Sequence, residues 1–526
     1  MKPLAEVWSI AWPTILTMTS YTIMQFVDKL MVGQVGPLEL TAQSNGGIWA
    51  FVPLAWVMGV LSVINTYVSQ NLGAGRPENG PRYPWNGIWL SVITWLLFML
   101  PMAVCVPWIF ALMKSHSPGL QRMEAGYCQI LLAGSVILLS SRSINHYFFG
   151  MHRPKVVTVS AIIANITNIL ANYVLIFGEA GLETMLLQRW HVNLPGIPGT
   201  PALGVYGAAI GTVIGTVVEF VIPMAVFLGS TLNRKYRTRA AWRPRWEPIR
   251  EIFRIGWPTG IQWGNEIICW AVFMTVTVGI FGEHHMTAGW IALGYMHLSF
   301  MPAVGVSVAA NSLVGKYIGA GQPDVGVARA RLGLAIAIVY MTVCGLAFFI
   351  FRHGMVALFI GGQELPPEVA EEIILIGGRL MICAAVFQTF DAFGIVYTGA
   401  LRGAGDTLWP SAATIIYSWL FLVAGGWALA RFVPQWESIG PWIGAAAFII
   451  VYGVTMAWRF ESGAWRSIKL LATPREEAAE VALGPTPPAT TPDAAIGDLA
   501  GEFGGPGEAP DPESDLAATG GEQSAG

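Results

Sequence analysis

The sequence predicts an all-α integral membrane protein of twelve transmembrane helices, in two six-helix bundles related by a parallel internal repeat. Three observations carry this. Charged residues make up only 12% of the chain and hydrophobic residues 54%. Soluble domains hold roughly 25% charged residues, so lipid must cover much of this surface. Twelve apolar stretches approach or exceed the length of about 20 residues that a bilayer crossing needs. Finally, the chain repeats itself. Glu6-Val-Trp-Ser-Ile-Ala-Trp12-Pro13-Thr14 returns as Glu251-Ile-Phe-Arg-Ile-Gly-Trp257-Pro258-Thr259, 245 residues later. Asn65 through Gly73-Ala-Gly75 to Pro77 returns as Asn311 through Gly319-Ala-Gly321 to Pro323, 246 residues later. A repeat this long is an architecture rather than a local motif.

The apolar stretches run roughly 9–33, 45–72, 86–113, 123–149, 156–178 and 203–229, then 251–281, 287–317, 329–351, 371–400, 408–431 and 439–459. Six spans per half is an even number, so both halves enter the membrane the same way. The repeat axis then lies along the membrane normal. The predicted units are an N-terminal lobe at 1–230, a basic inter-lobe loop at 231–250, a C-terminal lobe at 251–470 and a tail at 471–526. Residues 180–202, with Pro195, Pro198 and Pro201, are too polar and broken to span and form an external loop. Beyond Thr473 the chain is rich in Pro, Gly and Ala, with eleven acidic residues and one basic residue, Arg475. Such a composition cannot bury a core and is expected to be disordered.

Charge sets the orientation. The inter-lobe loop and the other loops on its side, with the two termini, hold 21 Lys and Arg; the opposite side holds five. The positive-inside rule then places both termini in the cytoplasm, with the chain in the inner membrane. The N-terminus lacks the pattern of a cleavable signal, because Glu6 interrupts its basic region and no small-residue cleavage site follows. Cys105, Cys128, Cys269, Cys344 and Cys383 are isolated in apolar runs and read as packing residues. No Gly-x-x-x-x-Gly-Lys-Ser/Thr loop, metal-spaced histidine set or Ser/His/Asp set is present, so the chain does not read as an ATPase or other enzyme. No metal, beyond a possible sodium ion, is expected.

Carboxylates are costly in hydrocarbon, so those within spans are functional candidates, the alternative being an interhelical polar pair. Asp28, Glu266 and Asp391 are singled out. Lys29, Arg142 and Arg379 are weaker candidates, since long basic side chains snorkel to the interface. At about 1.5 Å per helical residue, Glu266 lies about 18 Å from the level of Arg254 and Asp391 about 16 Å from that of Arg402. The two are expected to meet near the midplane. Asp28 lies towards the external leaflet. Asn165, Asn168 and Asn172 share one helix face, and Tyr127 and Thr212 reach a similar depth. In repeat coordinates Asp28 matches Phe273, and Glu266 matches Tyr21. Two turns therefore separate the acidic positions on one stripe of each half's first helix. Pro13 and Pro258 occupy matching sites and are expected to bend their helices unless they fall in a first turn.

These residues resemble the multidrug and toxic compound extrusion (MATE) family, in particular its NorM-like bacterial branch. The resemblance covers about residues 5–460. It rests on Trp12-Pro13, Val27-Asp28 with Met31-Val32-Gly33, Gly73-Ala-Gly75, Asn168-x-x-x-Asn172-Tyr-Val-Leu-Ile-Phe-Gly178, Gly204-Val-Tyr-Gly-Ala-Ala-x-Gly-Thr212, Asp391-Ala-Phe-Gly and Arg402-Gly-x-Gly-Asp406-Thr407. It implies a proton- or sodium-coupled antiporter that exports organic cations by alternating access, with no other cofactor. It implies that Asp28, Tyr127, Asn168, Asn172 and Thr212 surround the coupling cation and that Glu266 and Asp391 form a second acidic, substrate-facing site. Some members carry aspartate where Asn172 stands, and Lys29 is atypical beside Asp28. Partners are expected to be small organic cations and membrane lipid, with no nucleic acid, and the protein a monomer. The alternatives are a lipid-linked saccharide flippase of the same superfamily, which needs a basic cavity, and a polytopic membrane enzyme.

Overall fold

The protein is described from a computed structural model, for residues 2–112, 116–181, 196–360 and 366–471. Much of the 180–202 loop and nearly all of the acidic tail lie outside the described residues. The long helices are α1 (Pro3–Gly33), α2 (Pro37–Gly73), α3 (Pro77–Ala111), α4 (Pro118–Gly150), α5 (Pro154–Phe177) and α6 (Val205–Leu228), followed by α7 (Trp246–Phe281), α8 (Glu283–Gly319), α9 (Pro323–Ile360), α10 (Pro367–Ala404), α11 (Leu408–Phe432) and α12 (Ile439–Glu461). Eleven of these, α2 to α12, are long and apolar enough to cross a membrane. Helix α1 has comparable length, but Thr17, Thr19, Ser20, Tyr21 and Thr22 break its apolar character. No strand occurs among the described residues.

Boundaries follow from sequence. Seven helices open on a proline, whose fixed φ suits the first turn and whose missing N–H leaves no bond unmade. The observed helices run past the apolar stretches at several ends because these polar, proline-led turns extend them. Helices α3, α7 and α11 each contain a π-helical turn, at Trp95–Met99, Phe273–Thr277 and Ser418–Gly425. Large apolar side chains such as Phe98, Trp108, Val339, Ile350 and Leu358 point outward, as a lipid-facing surface requires.

Helix α5 packs on α6, α4 on α2 and α6, and α10 on α8, α9 and α12. The two halves of the repeat meet reciprocally: α1 packs on α8, and α7 on α2. Glycines permit both crossings. A Cβ on Gly59 would fall 2.7 Å from the Cα of Gly260, and one on Gly305 would fall 2.6 Å from the Cα of Ile15. Gly59 and Gly305 are repeat partners, as are Ile15 and Gly260, so one close approach is built twice.

Polar bonds between the halves cluster at the end that carries the basic loops. Thr14 donates to the Gly305 carbonyl at 2.8 Å, Thr66 to that of Arg402 at 2.9 Å, Gln70 to that of Gly403 at 3.0 Å and Ser312 to that of Phe149 at 2.7 Å. Glu6, ahead of the first apolar stretch, receives Arg329 at 2.8 Å, Tyr317 at 2.8 Å and Lys316 at 3.2 Å. Burial alone would raise the Glu6 carboxyl; the bonds from Arg329, Tyr317 and Lys316 outweigh it and hold it down at about 2.

Candidate functional site

Among the described residues, three of the polar groups within the helices hold the carboxylates that bear on transport. In the first, α1 carries Asp28, which is 6% exposed. Helix α5 presents Asn172, whose amide donates to Asp28 Oδ1 at 2.7 Å and to Asn168 Oδ1 at 3.4 Å. Gly211 on α6 makes room, since a Cβ there would lie 2.0 Å from Asn172 Oδ1. Tyr127 on α4 is buried within electrostatic reach of Asp28. Asn172 Oδ1 and the amide nitrogens of Asn168 and Asn165 are buried without a hydrogen-bond partner among the described residues. Thr212 is the exception: its hydroxyl donates to Ala208 O on its own helix at 2.9 Å. Lys29, adjacent in sequence, is exposed where Asp28 is buried. Consecutive helical residues point about 100° apart, which separates the two side chains.

The second group holds Glu266 on α7 and Asp391 on α10. Each is partly exposed, and the two are within electrostatic reach of each other without a direct hydrogen bond among the described residues. Nearby, Asn265 donates to Ser418 Oγ at 3.0 Å and accepts from Trp419 at 2.8 Å. Arg379 lies apart, 3.9 Å from Glu437 with both side chains half exposed.

The third group escaped the sequence reading. Glu219 on α6 is a fourth carboxylate inside a span. It accepts from the Tyr21 hydroxyl, from Asn145 at 2.8 Å and from Arg142 at 3.2 Å. The Arg142 guanidinium sits 4.7 Å from the centre of the Tyr21 ring. Arg142 therefore does not snorkel: it is an ion-pair partner in the interior. The signal was available, since Glu219 sits in the middle of the apolar run 203–229 and Tyr21 is the repeat partner of Glu266. A further knot at the start of α4 joins Glu124 to Asn45 at 2.7 Å and to His116 at 2.9 Å.

Pro13 and Pro258 both lie well inside their helices, past the first turn. The Pro13 carbonyl accepts from Thr17 at 2.8 Å and from Thr158 of α5 at 2.9 Å.

A twice-built helical bundle with acids inside it is matched by one family description, MatE, over residues 13–174 and 267–427, one match in each half. The chain belongs to the MatE family. It is thus a multi-pass membrane transporter and not an enzyme. Similar curated proteins include "Multidrug resistance protein NorM" of Burkholderia vietnamiensis, 28% identical over 472 residues, covering 89% of this chain and 95% of that protein. "Probable multidrug resistance protein NorM" of Pseudomonas syringae pv. tomato is 26% identical over 506 residues, covering 92% and 100%. Among solved structures, one described as the outward-facing conformation of a multidrug resistance MATE family transporter aligns with a TM-score of 0.76 at 18% identity, covering 89% of this chain and 98% of that one. A MOP superfamily transporter from Pyrococcus furiosus aligns with a TM-score of 0.74, also at 18% identity and with the same coverage. At this identity the structural likeness bears on fold alone.

Proposed function

We propose that this MatE protein is a proton- or sodium-coupled antiporter of the inner membrane, exporting organic, chiefly cationic, compounds by alternating access. Both termini then face the cytoplasm, and the protein works as a monomer. The observation that carries the reading is Asp28, a carboxylate buried at membrane depth with Asn172 as its hydrogen-bond donor and no cationic side chain bonded to it among the described residues. A carboxylate in such a place takes up a proton or recruits a cation. Asn172 Oδ1, buried and without a donor among the described residues, adds a neutral oxygen beside it. Glu266 and Asp391, partly exposed and mutually coupled, suit a cationic substrate or a shared proton.

The reciprocal crossings and the bonded seam close one end of the bundle, while the acids lie beyond it. With the basic loops cytoplasmic, the closed end is the inner one, and access to the acids is from the outside in this reading. Cation uptake at Asp28 and drug release at the acidic pair are then two uses of one opening, and the exchange runs without ATP. The test is ethidium efflux from proteoliposomes under a proton gradient and, separately, a sodium gradient. Efflux driven by at least one gradient is expected. Efflux driven by neither, with ethidium still bound, would leave the protein uncoupled and refute the antiport reading.

A further inference from the structure

We propose that the inter-lobe loop and the start of α7 form a binding site for the headgroup of an anionic phospholipid. The loop is not a loose tether. Its Leu232 and Tyr236 are buried against the core of the first half. Side chains of α3 hold the stretch that follows. The Trp85 indole donates to the Thr238 carbonyl at 2.8 Å, and the Trp89 indole donates to the Trp242 carbonyl at 2.8 Å. Asn86 is anchored through its amide to the Arg82 carbonyl at 2.7 Å and accepts from the Arg245 backbone N–H at 2.8 Å. Trp85 and Trp89 are one turn apart, about 6 Å along the helix. Thr238, Trp242 and Arg245 are therefore pinned to the same short stretch of α3.

Held by its backbone, this stretch turns its side chains outward. Trp242 is 50% exposed and Trp246 is 75% exposed, and Arg243, Arg245 and Arg250 are exposed beside them. No ion pair among the described residues involves these three arginines. Glu247, exposed between them, offsets one of the three charges. Guanidinium forks match phosphate oxygens two bonds at a time. Because the loop is already fixed, little ordering is left for binding to cost.

The apolar surface beside the arginines selects a lipid over a soluble anion. Trp246, Arg250, Phe253 and Trp257 follow the spacing i, i+4, i+7 and i+11, so they share one face of α7. All four are exposed. Along this face basic groups give way to bare aromatic surface, on a helix long and apolar enough to cross a membrane. A soluble anion would use the arginines and leave the aromatics bare. A phospholipid answers both, with its phosphate on the arginines and its acyl chains along Phe253 and Trp257. Tryptophan suits the level between them, since its ring lies in hydrocarbon while its N–H reaches the headgroups. Helix α3 belongs to the first half and α7 to the second, so a lipid here is held by both.

The test is native mass spectrometry of the full-length protein in detergent, titrated with phosphatidylglycerol and, separately, with phosphatidylcholine. The wild type should favour phosphatidylglycerol by about tenfold. Arg243→Gln, Arg245→Gln and Arg250→Gln together should remove most of that preference, while Arg352→Gln, near the far end of α9, should keep it. Trp85→Phe with Trp89→Phe keeps every charge but frees the loop, and should lower the preference several-fold; this separates a built site from loose basic charge. If the double indole variant fails to fold, the arginine variant, which changes exposed side chains only, decides. Glycerol 3-phosphate, the headgroup anion without acyl chains, should not displace the lipid. Equal binding of the two lipids by the wild type, an unchanged preference in either folded variant, or displacement by glycerol 3-phosphate overturns the proposal. A spectrum of dimers without lipid adducts assigns the face to a second copy and overturns it too. Binding in detergent needs no ion gradient, so either result leaves the export reading to its own test.

Discussion

Glu219 shows how much one buried residue can hold. It joins Tyr21 of α1, Arg142 and Asn145 of α4 and its own helix α6. Removing one member of a buried ion pair strands the other, at a cost of about 3–5 kcal/mol. Glu219→Gln should therefore lower the melting temperature sharply in detergent. Tyr21→Phe, which leaves the pair intact, should cost about 1–3 kcal/mol. Equal melting temperatures for wild type and Glu219→Gln would refute this account of the group. At this scale the sequence was only partly legible. The spacing of Asn168 and Asn172 anticipated a shared face, and Asp28 does bond to Asn172. Depth counting brought Glu266 and Asp391 together, and they lie within electrostatic reach. Thr212 bonds its own helix because a hydroxyl in a helix can return to the carbonyl four residues back, a choice that sequence leaves open. Arg142 was discounted because its partner, 77 residues away, cannot be seen from one helix alone.

At the scale of elements, the crossings of α1 with α8 and of α7 with α2 depend on having no side chain where backbones touch. Gly305→Val would drive methyl groups into the backbone of α1 near Ile15. Overpacking of this kind costs about 1–3 kcal/mol, and the variant should melt earlier than wild type. Gly354→Val in α9, where a Cβ meets nothing within 4 Å, is the control and should not. The prolines make a separate prediction. An interior proline removes one backbone bond and crowds the preceding turn, so Pro13→Ala should straighten α1. Spin labels at the two ends of α1 should then move apart; an unchanged distance distribution would mean that Pro13 imposes no bend. The helices themselves were legible because apolar runs, leading prolines and glycines mark them directly. The glycine contacts were not, since only the repeat hinted that Gly59 and Gly305 have matching roles.

At the scale of the molecule, the seam ties the halves together at one end, and alternating access requires it to break. Glu6 is its charged knot. Because its pKa is lowered, its contribution is fully present above its ordinary value of 4.5 and is lost only as pH falls towards about 2. Seam closure through Glu6 should thus be constant from about pH 5 to 8, and any pH response of transport in that window belongs to other groups. Glu6→Gln should favour seam-open states, read as a larger separation of labels on α1 and α9. The twofold logic of this seam was legible as a repeat, but not which residues face across it, because sequence periodicity fixes a helix face and not its neighbour. The tail beyond Thr473 is expected to be dispensable, and truncation at Pro474 should leave insertion and efflux intact. The central claim is that Asp28 couples cation entry to export, and Asp28→Asn tests it most directly, with drug binding and gradient-driven ethidium efflux measured on the same folded preparation. The account predicts that binding persists while efflux under both the proton and the sodium gradient is lost. Full efflux with unchanged ion dependence would contradict it.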